Sequence, residues 1–250
     1  MSTHTTAPET THSHHAPQTP PLRCAVVLFG CGRADGSEIQ ESVSILVHLS
    51  RLGARTQCYA PDRAQVDVVN HLTGAPSAEH RNGLIEAARI ARGNIRPIAE
   101  LFAHDYDALL FAGGFGAAKN LCDFALKGAD CTAQPDVARV IREFHAAAKP
   151  IALCCIAPII AARVLGTAAG GPGVSITLGQ HGPAADAARA MGATHVLTGV
   201  RQAHTDHTAR IVTTGAYMFD QASPAEIFEG IGAMVESTLK LAGTSPAHAR

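Results

Sequence analysis

Residues 149–160, "KPIALCCIAPII", decide the fold. "PIALCC" reads as a short buried strand, and "APIIAARVLG" as the helix that follows it, so the chain breaks abruptly from strand to helix at a pair of adjacent cysteines. A residue at such a turn is held over the edge of a sheet. The helix beyond it aims its N-terminal amides and the positive end of its dipole at that residue. A thiol placed there is expected to be more acidic than the ordinary value of about 8.5. Cys155 fits the position, because Ile156-Ala157-Pro158 open the helix and Pro158 lacks an N–H only where none is needed. Cys154, one residue earlier, should point to the opposite side and serve as core. The plain alternative for both is a small buried hydrophobe.

Outward from this elbow the same alternation repeats. "RCAVVLFG" (23–30), "ARTQCYAP" (54–61) and "YDALLFAGGFG" (106–116) read as further strands ended by Gly or Pro. "GSEIQESVSILVHLSRLGA" (36–54), with Ser37 as N-cap, reads as a helix, as do 81–93, 117–128 and 135–149. Residues 61–81 read as loop. From 172 on, "GVSITLG", "HVLTGV" and "ARIVTTGA" suggest short strands around one helix at 184–193, and "SPAEIFEGIGAMVESTLKLAG" (223–243) is a closing amphipathic helix. Strands alternating with helices predict a mostly parallel sheet covered on both faces, in one α/β domain spanning 23–243. Ligands of such sheets gather beyond the carboxyl ends of the strands, which points to 30–41, 113–120 and 154–158.

Composition narrows the function classes. At 46% hydrophobic residues the 250-residue chain can bury a sizeable core, and a net charge of −1 leaves no electrostatic footprint for nucleic acid or an anionic membrane. No apolar run reaches the roughly 18–20 residues that cross a bilayer. Residues 1–22, rich in Thr, His and Pro, are expected to be a disordered tail, and 244–250 a frayed end. The tail has no apolar core segment and no arginine before Arg23, so neither a secretory signal nor a mitochondrial presequence is expected. The seven cysteines form no C-x-x-C pair, the pattern of reduced thiols. Together these features predict a cytoplasmic protein. His4, His12, His14 and His15 in the tail suggest at most adventitious metal binding, so neither a metal site nor a cofactor is expected.

A thiol needs a proton-handling partner. Glu38 and Glu41 begin the first helix on the same sheet edge. One of them suffices to complement the helix dipole, and the other is free to face Cys155 as acid or base, since burial raises a carboxyl pKa. The backbone amides after "FAGG", with the N–H of Ile156, offer an oxyanion hole. For Gly113 and Gly114 the simpler reading is a tight turn. "GCGRADG" (30–36) imitates a dinucleotide loop, but its third glycine comes one residue late.

The motifs "GCGRADGSEIQE", "CYAPD", "VVNHLTG", "RNGLIEAARIARG", "GGFGAAKNL", "KGADC", "CCIAP" and "VTTGAYM", in this order, resemble the DJ-1/PfpI superfamily over about residues 23–243. Within it they are similar to the ElbB-type branch, which is isoprenoid-biosynthesis and glyoxalase-like. The resemblance implies a flavodoxin-like three-layer α/β/α sandwich with a nucleophile elbow. Cys155 is then the nucleophile, Glu41 its acidic partner, and Gly114 and Ile156 the oxyanion-hole amides. Gly113, Glu38 and Asn120 are expected to border the substrate. Two departures stand out. Ile156 occupies the place where amidotransferase and protease relatives carry His, which leaves His181 as the best remaining histidine candidate. Gly215 stands where the branch carries Pro, so that loop is expected to be more flexible.

The implied activity is a glutathione-independent glyoxalase acting on small 2-oxoaldehydes such as methylglyoxal and glyoxal through a cysteine hemithioacetal, with no cofactor. The alternatives are a protein deglycase, or a stress protein whose Cys155 senses oxidation. A small aldehyde is the expected partner, with a homodimer common among relatives.

Overall fold

The computed structural model describes residues 20–244. The expected tail therefore lies outside the described residues except for its last three positions, and the expected frayed end except for Thr244. The strands are β1 (Arg23–Val27), β2 (Arg55–Ala60), β3 (Val68–Val69), β4 (Pro76–Ser77), β5 (Ile95–Pro97), β6 (Ala108–Phe111), β7 (Ile151–Cys154), β8 (Ser175–Ile176), β9 (Thr194–His195), β10 (Ala203–Asp206) and β11 (Ile211–Thr214). The helices are α1 (Ile39–Arg51), α2 (Gly83–Ile90), α3 (Phe124–Lys127), α4 (Pro135–Ala146), α5 (Pro158–Leu165), α6 (Pro183–Ala190) and α7 (Pro224–Gly243).

Seven strands form the central sheet in the order β10-β11-β7-β6-β1-β2-β5. All neighbours are parallel except the β10–β11 pair at one edge. The central strands β6 and β7 are buried at every residue, which is why their sequences run apolar without alternation. β11 is buried throughout as well, with the hydroxyls of Thr213 and Thr214 hydrogen-bonded to the Thr177 N–H and the Gln202 carbonyl. Alternate residues feed two cores: Ala25, Val27, Ile151 and Leu153 join one with residues of α4, α5 and α6. Cys24, Val26, Ala152 and Cys154 join the other with residues of α1, α2 and α7. The result is a flavodoxin-like α/β/α sandwich. Leu153 is fully buried between layers, and its truncation to Ala would cost about 2–5 kcal/mol.

Several local expectations change. Ser37 does not cap α1: its hydroxyl accepts the Phe29 N–H at 2.9 Å, while Glu38 is the N-cap and accepts the Glu41 N–H at 2.7 Å. Segment 61–81 contains the small antiparallel β3–β4 pair. The helix expected over 117–128 is a π-helical turn at Gly116–Leu121 followed by α3. The segments "GVSITLG" and "HVLTGV" supply only the separate β8–β9 pair, outside the central sheet. Both sheet edges, β5 and β10, are short and polar or proline-bearing, so neither carries an apolar pattern.

Candidate active site

The carboxyl ends of β1, β6, β7 and β11 converge at one place. β7 ends at Cys154, and Cys155 takes φ +59°, a left-handed conformation that costs a non-glycine residue about 1–3 kcal/mol. Neighbouring backbone holds it: the Cys155 N–H donates to Thr214 O and the Ala157 N–H to Cys154 O, each at 3.0 Å. The elbow leaves Cys155 8% exposed, at a cavity of about 380 Å³ that Arg33, Glu38, Phe115, Phe124, Tyr217 and Met218 also line.

β6 runs into Gly113 and Gly114. The Gly113 N–H donates to Glu41 Oε2 at 3.0 Å, and its carbonyl accepts the Glu38 N–H at 3.1 Å. A Cβ at position 113 would lie 2.4 Å from Cys155 Cβ and 2.6 Å from Glu41 Oε2, so only glycine lets strand, thiol and carboxyl meet. Gly114 has φ +83°, and a side chain there would strike the Glu38 nitrogen and Gly36 oxygen at 2.5 Å.

Glu41, in the first turn of α1, is fully buried. Its Oε2 accepts from Gly113 and its Oε1 accepts the Tyr217 N–H at 3.2 Å. Burial, helped by the negative charge of Glu38, pushes its pKa up to about 7, against hydrogen bonds from Cys155, Tyr217 and Gly113 that pull it down. Glu41 is thus poised to hold or release a proton near neutral pH.

Cys155 corrects one expectation. Its thiol sits well above the ordinary value, because burial and the Glu41 carboxylate outweigh the Gly114 and Ile156 amides that point at the sulfur. A helix N-terminus does stabilise a thiolate, but here burial and the Glu41 carboxylate count for more. Cys154 departs as well. It is fully buried as expected, yet its sulfur lies 3.7 Å from Glu41 Oε2 and 3.6 Å from Phe111 O. Cys154 and Cys155 belong to the same core, because the left-handed turn at 155 cancels the strand's alternation.

The structure brings Cys155, Glu41, Glu38, Gly113, Gly114 and Ile156 together. His181 is not with them: it is exposed and lines a separate depression with Gly179 and Gln202. Asn120 also lies elsewhere. It is 2% exposed, and its Oδ1 accepts the Val66 N–H at 2.9 Å, so it anchors the 61–81 segment and does not line the cavity. Gly215 takes φ −66°, within proline's range. A Cβ there would lie 2.6 Å from the Phe219 ring and 2.9 Å from Gly179 Cα, so close packing occupies the space around it.

Arg33 lies inside the 30–41 stretch that the sheet-edge rule singles out, although the sequence reading assigns it no role there. Tyr217 follows the carboxyl end of β11, a strand to which the rule was not extended. The Tyr217 hydroxyl donates to the Gln40 side chain and ties that turn to α1.

All seven cysteines are free, and Cys31 alone among them is partly exposed. Among the described residues no group of three or more His, Cys, Asp or Glu side chains is placed to hold a metal ion. The tail histidines lie outside the described residues. Among those residues, too, no helix is long and apolar enough to cross a membrane.

A parallel sandwich with a strained cysteine elbow, two inward amides and a buried glutamate defines a class: the cysteine-elbow α/β proteins related to class I glutamine amidotransferases. No protein-family model matches the chain. Individual relatives do. ES1 protein homolog, mitochondrial, of Rattus norvegicus is 46% identical over 250 residues, 96% of this chain and 91% of that protein. Glutamine amidotransferase-like class 1 domain-containing protein 3, mitochondrial, of Homo sapiens is 48% identical over 240 residues, 92% of this chain and 87% of that one. Among solved structures, an isoprenoid biosynthesis protein with an amidotransferase-like domain from Ehrlichia chaffeensis is 33% identical. It superposes with a TM-score of 0.80 over 88% of this chain and 99% of its own. Glyoxalase III of Candida albicans shares the fold, with a TM-score of 0.55 at 14% identity over 88% of this chain and 97% of its own. The chain belongs to the family of the ES1 and glutamine amidotransferase-like class 1 domain proteins, and its fold is the one that the DJ-1/PfpI resemblance implies.

The Rattus norvegicus and Homo sapiens relatives overturn the expected cytoplasmic location, because both are named as mitochondrial proteins. The expectation rested on an arginine-poor tail and reduced thiols. Thiols stay reduced in more than one compartment, so the cysteine pattern does not select the cytoplasm.

Proposed function

We propose that the chain is a cofactor-independent glyoxalase-type enzyme that converts small 2-oxoaldehydes to 2-hydroxy acids. The observation that carries this reading is Glu41, fully buried behind Cys155, which lines the cavity, and with its pKa pushed up to about 7 by burial. Glu41 as carboxylate takes the thiol proton while the sulfur attacks the aldehyde carbon. The carbonyl oxygen, with the Gly114 and Ile156 amides beside it, receives that proton and becomes a hemithioacetal hydroxyl. Glu41, a carboxylate again, removes the hydrogen on the former aldehyde carbon to give an enediolate and returns that proton to the adjacent carbon, while the hemithioacetal hydroxyl proton passes to the neighbouring oxygen. The product is a 2-hydroxyacyl thioester. Water cleaves it, releasing the 2-hydroxy acid and the free thiol, so the net change is addition of one water.

A raised thiol pKa suits this route, because the nucleophile forms only when Glu41 accepts its proton. It weighs against a peroxide sensor, which calls for an acidic, accessible thiol. Glutaminase chemistry lacks its base, since Ile156 follows the cysteine and no described residue lining the cavity is a histidine. The test is lactate formation from methylglyoxal without glutathione. Wild type is expected to form lactate and Cys155→Ala is not; equal activity in the two rejects the mechanism.

A further inference from the structure

The same cavity holds a cation that the proposed chemistry does not use. Arg33, in the loop after β1, lines its rim, and among the described lining residues it is the only one with a positive charge. Its backbone is fixed, since the Arg33 carbonyl accepts the Phe115 N–H at 2.8 Å. Its guanidinium has no ion pair or hydrogen bond to any described side chain. The wall between Arg33 and the thiol is apolar, made by Phe115, Ala118, Phe124, Ile156 and Met218. A cavity of about 380 Å³ is also generous for a three-carbon aldehyde, since pockets of roughly 300–1,000 Å³ hold drug-sized ligands.

We propose that Arg33 is a specificity residue, and that the site takes an electrophile with an apolar body and a carboxylate tail, the carbonyl at Cys155 and the tail on the Arg33 guanidinium. The guanidinium presents a planar fork that matches a carboxylate's two oxygens. Glu38 shares the rim and Glu41 lies beneath it, so a doubly charged phosphate would meet more repulsion than a monoanion. Burial holds the Glu38 carboxyl above its ordinary value, and the charge of Arg33 is among the influences that pull it back, so that charge does reach this rim. Where the electrophile is a 2-oxoaldehyde, the proposal rests on the glyoxalase reading. The attraction of an anion to Cys155 does not.

Two measurements separate these layers. In the first, kcat/KM is compared for 4,5-dioxopentanoate and for 2-oxopentanal, which has the same chain length without the carboxylate. Arg33→Gln is expected to lower the ratio of the two by about fivefold, the worth of one partly exposed charge pair, and Arg33→Lys to restore part of it. In the second, the rate of Cys155 alkylation by iodoacetate relative to iodoacetamide is read by mass spectrometry in the same variants. That ratio is expected to fall in Arg33→Gln by a similar factor, whether or not any aldehyde is turned over. A merely structural role for Arg33 would move both members of each pair equally. An unchanged alkylation ratio overturns the proposal. A lowered one, with neither aldehyde converted, supports Arg33 as the anion-recruiting residue and counts against the glyoxalase reading alone.

Discussion

The two ends of the central sheet each carry a cavity, and the larger one holds less chemistry. At the amino ends of β7 and β11, a cavity of about 500 Å³ is lined by His145, Ser175, Asp206 and Thr208. There the His204 Nε2 and Ser175 Oγ stand 2.7 Å apart, which on distance alone resembles a nucleophile and its base. The Asp206 carboxylate, however, accepts backbone N–H groups of Ser175, Thr208 and Ala209, so it holds a turn and does not orient the histidine. At the carboxyl ends the cavity is smaller, but it sits on a strained cysteine and a fully buried acid. Empty volume needs no compensation. A positive φ and a buried carboxyl persist only where surrounding structure holds them, and that cost marks the working edge.

The comparison fails first if chemistry follows the larger cavity. Cys155→Ala is expected to lower glutathione-free lactate formation by about 10³-fold or more, while Ser175→Ala leaves it within about twofold. Steady-state assays of both variants decide between the edges. Next in size, Glu41→Gln should reduce kcat/KM by about 10²–10³-fold, the usual range for a lost general acid–base group.

The buried acid also ties activity and stability to pH with opposite signs. The mechanism begins from the Glu41 carboxylate, so kcat/KM should climb with a midpoint near pH 7. Stability should move the other way. Between about pH 4.5 and 7 the unfolded chain has released this proton while the folded chain keeps it, so folding weakens as pH rises, by about 3 kcal/mol in all. Above pH 7 both states are ionised and the loss stays constant. Urea titrations across this range should show that slope in wild type and its absence in Glu41→Gln. A smaller effect is expected of Gly113→Ala, whose Cβ would collide with Cys155 and Glu41: about 1–3 kcal/mol of stability, with activity lost as the pair is pushed apart. Smallest of all, Ser175→Ala should cost about 1 kcal/mol or less, for one half-buried hydrogen bond.

What the sequence discloses follows from the same contrast. β1, β6 and β7 are legible because strands covered on both faces run almost wholly apolar, β11 because its β-branched Ile-Val-Thr-Thr run ends at a glycine, and Cys155 because a strand ran straight into a helix start. β5, with Pro97 at its end, and β10, with its Ala-His-Thr-Asp run, are sheet edges whose pairing owes little to side-chain pattern. The contact between Cys154 and Glu41 was hidden for another reason. Alternation assigns Cys154 to the far face, and only the backbone reversal at Cys155 returns both sulfurs to one side. Thiol acidity failed in the same way: the helix amides were visible in one local segment, while the opposing carboxylate comes from a residue 114 positions away in the chain, Glu41.

The central claim is that Glu41 and Cys155 handle one proton between them near neutral pH. Titration of the Glu41 side-chain carboxyl by carbon-13 NMR, in selectively labelled protein, reads this directly. A midpoint near 7 in wild type is the expected result. A midpoint near the ordinary 4.5 would mean that the carboxyl is solvated and away from the thiol, and would contradict the account.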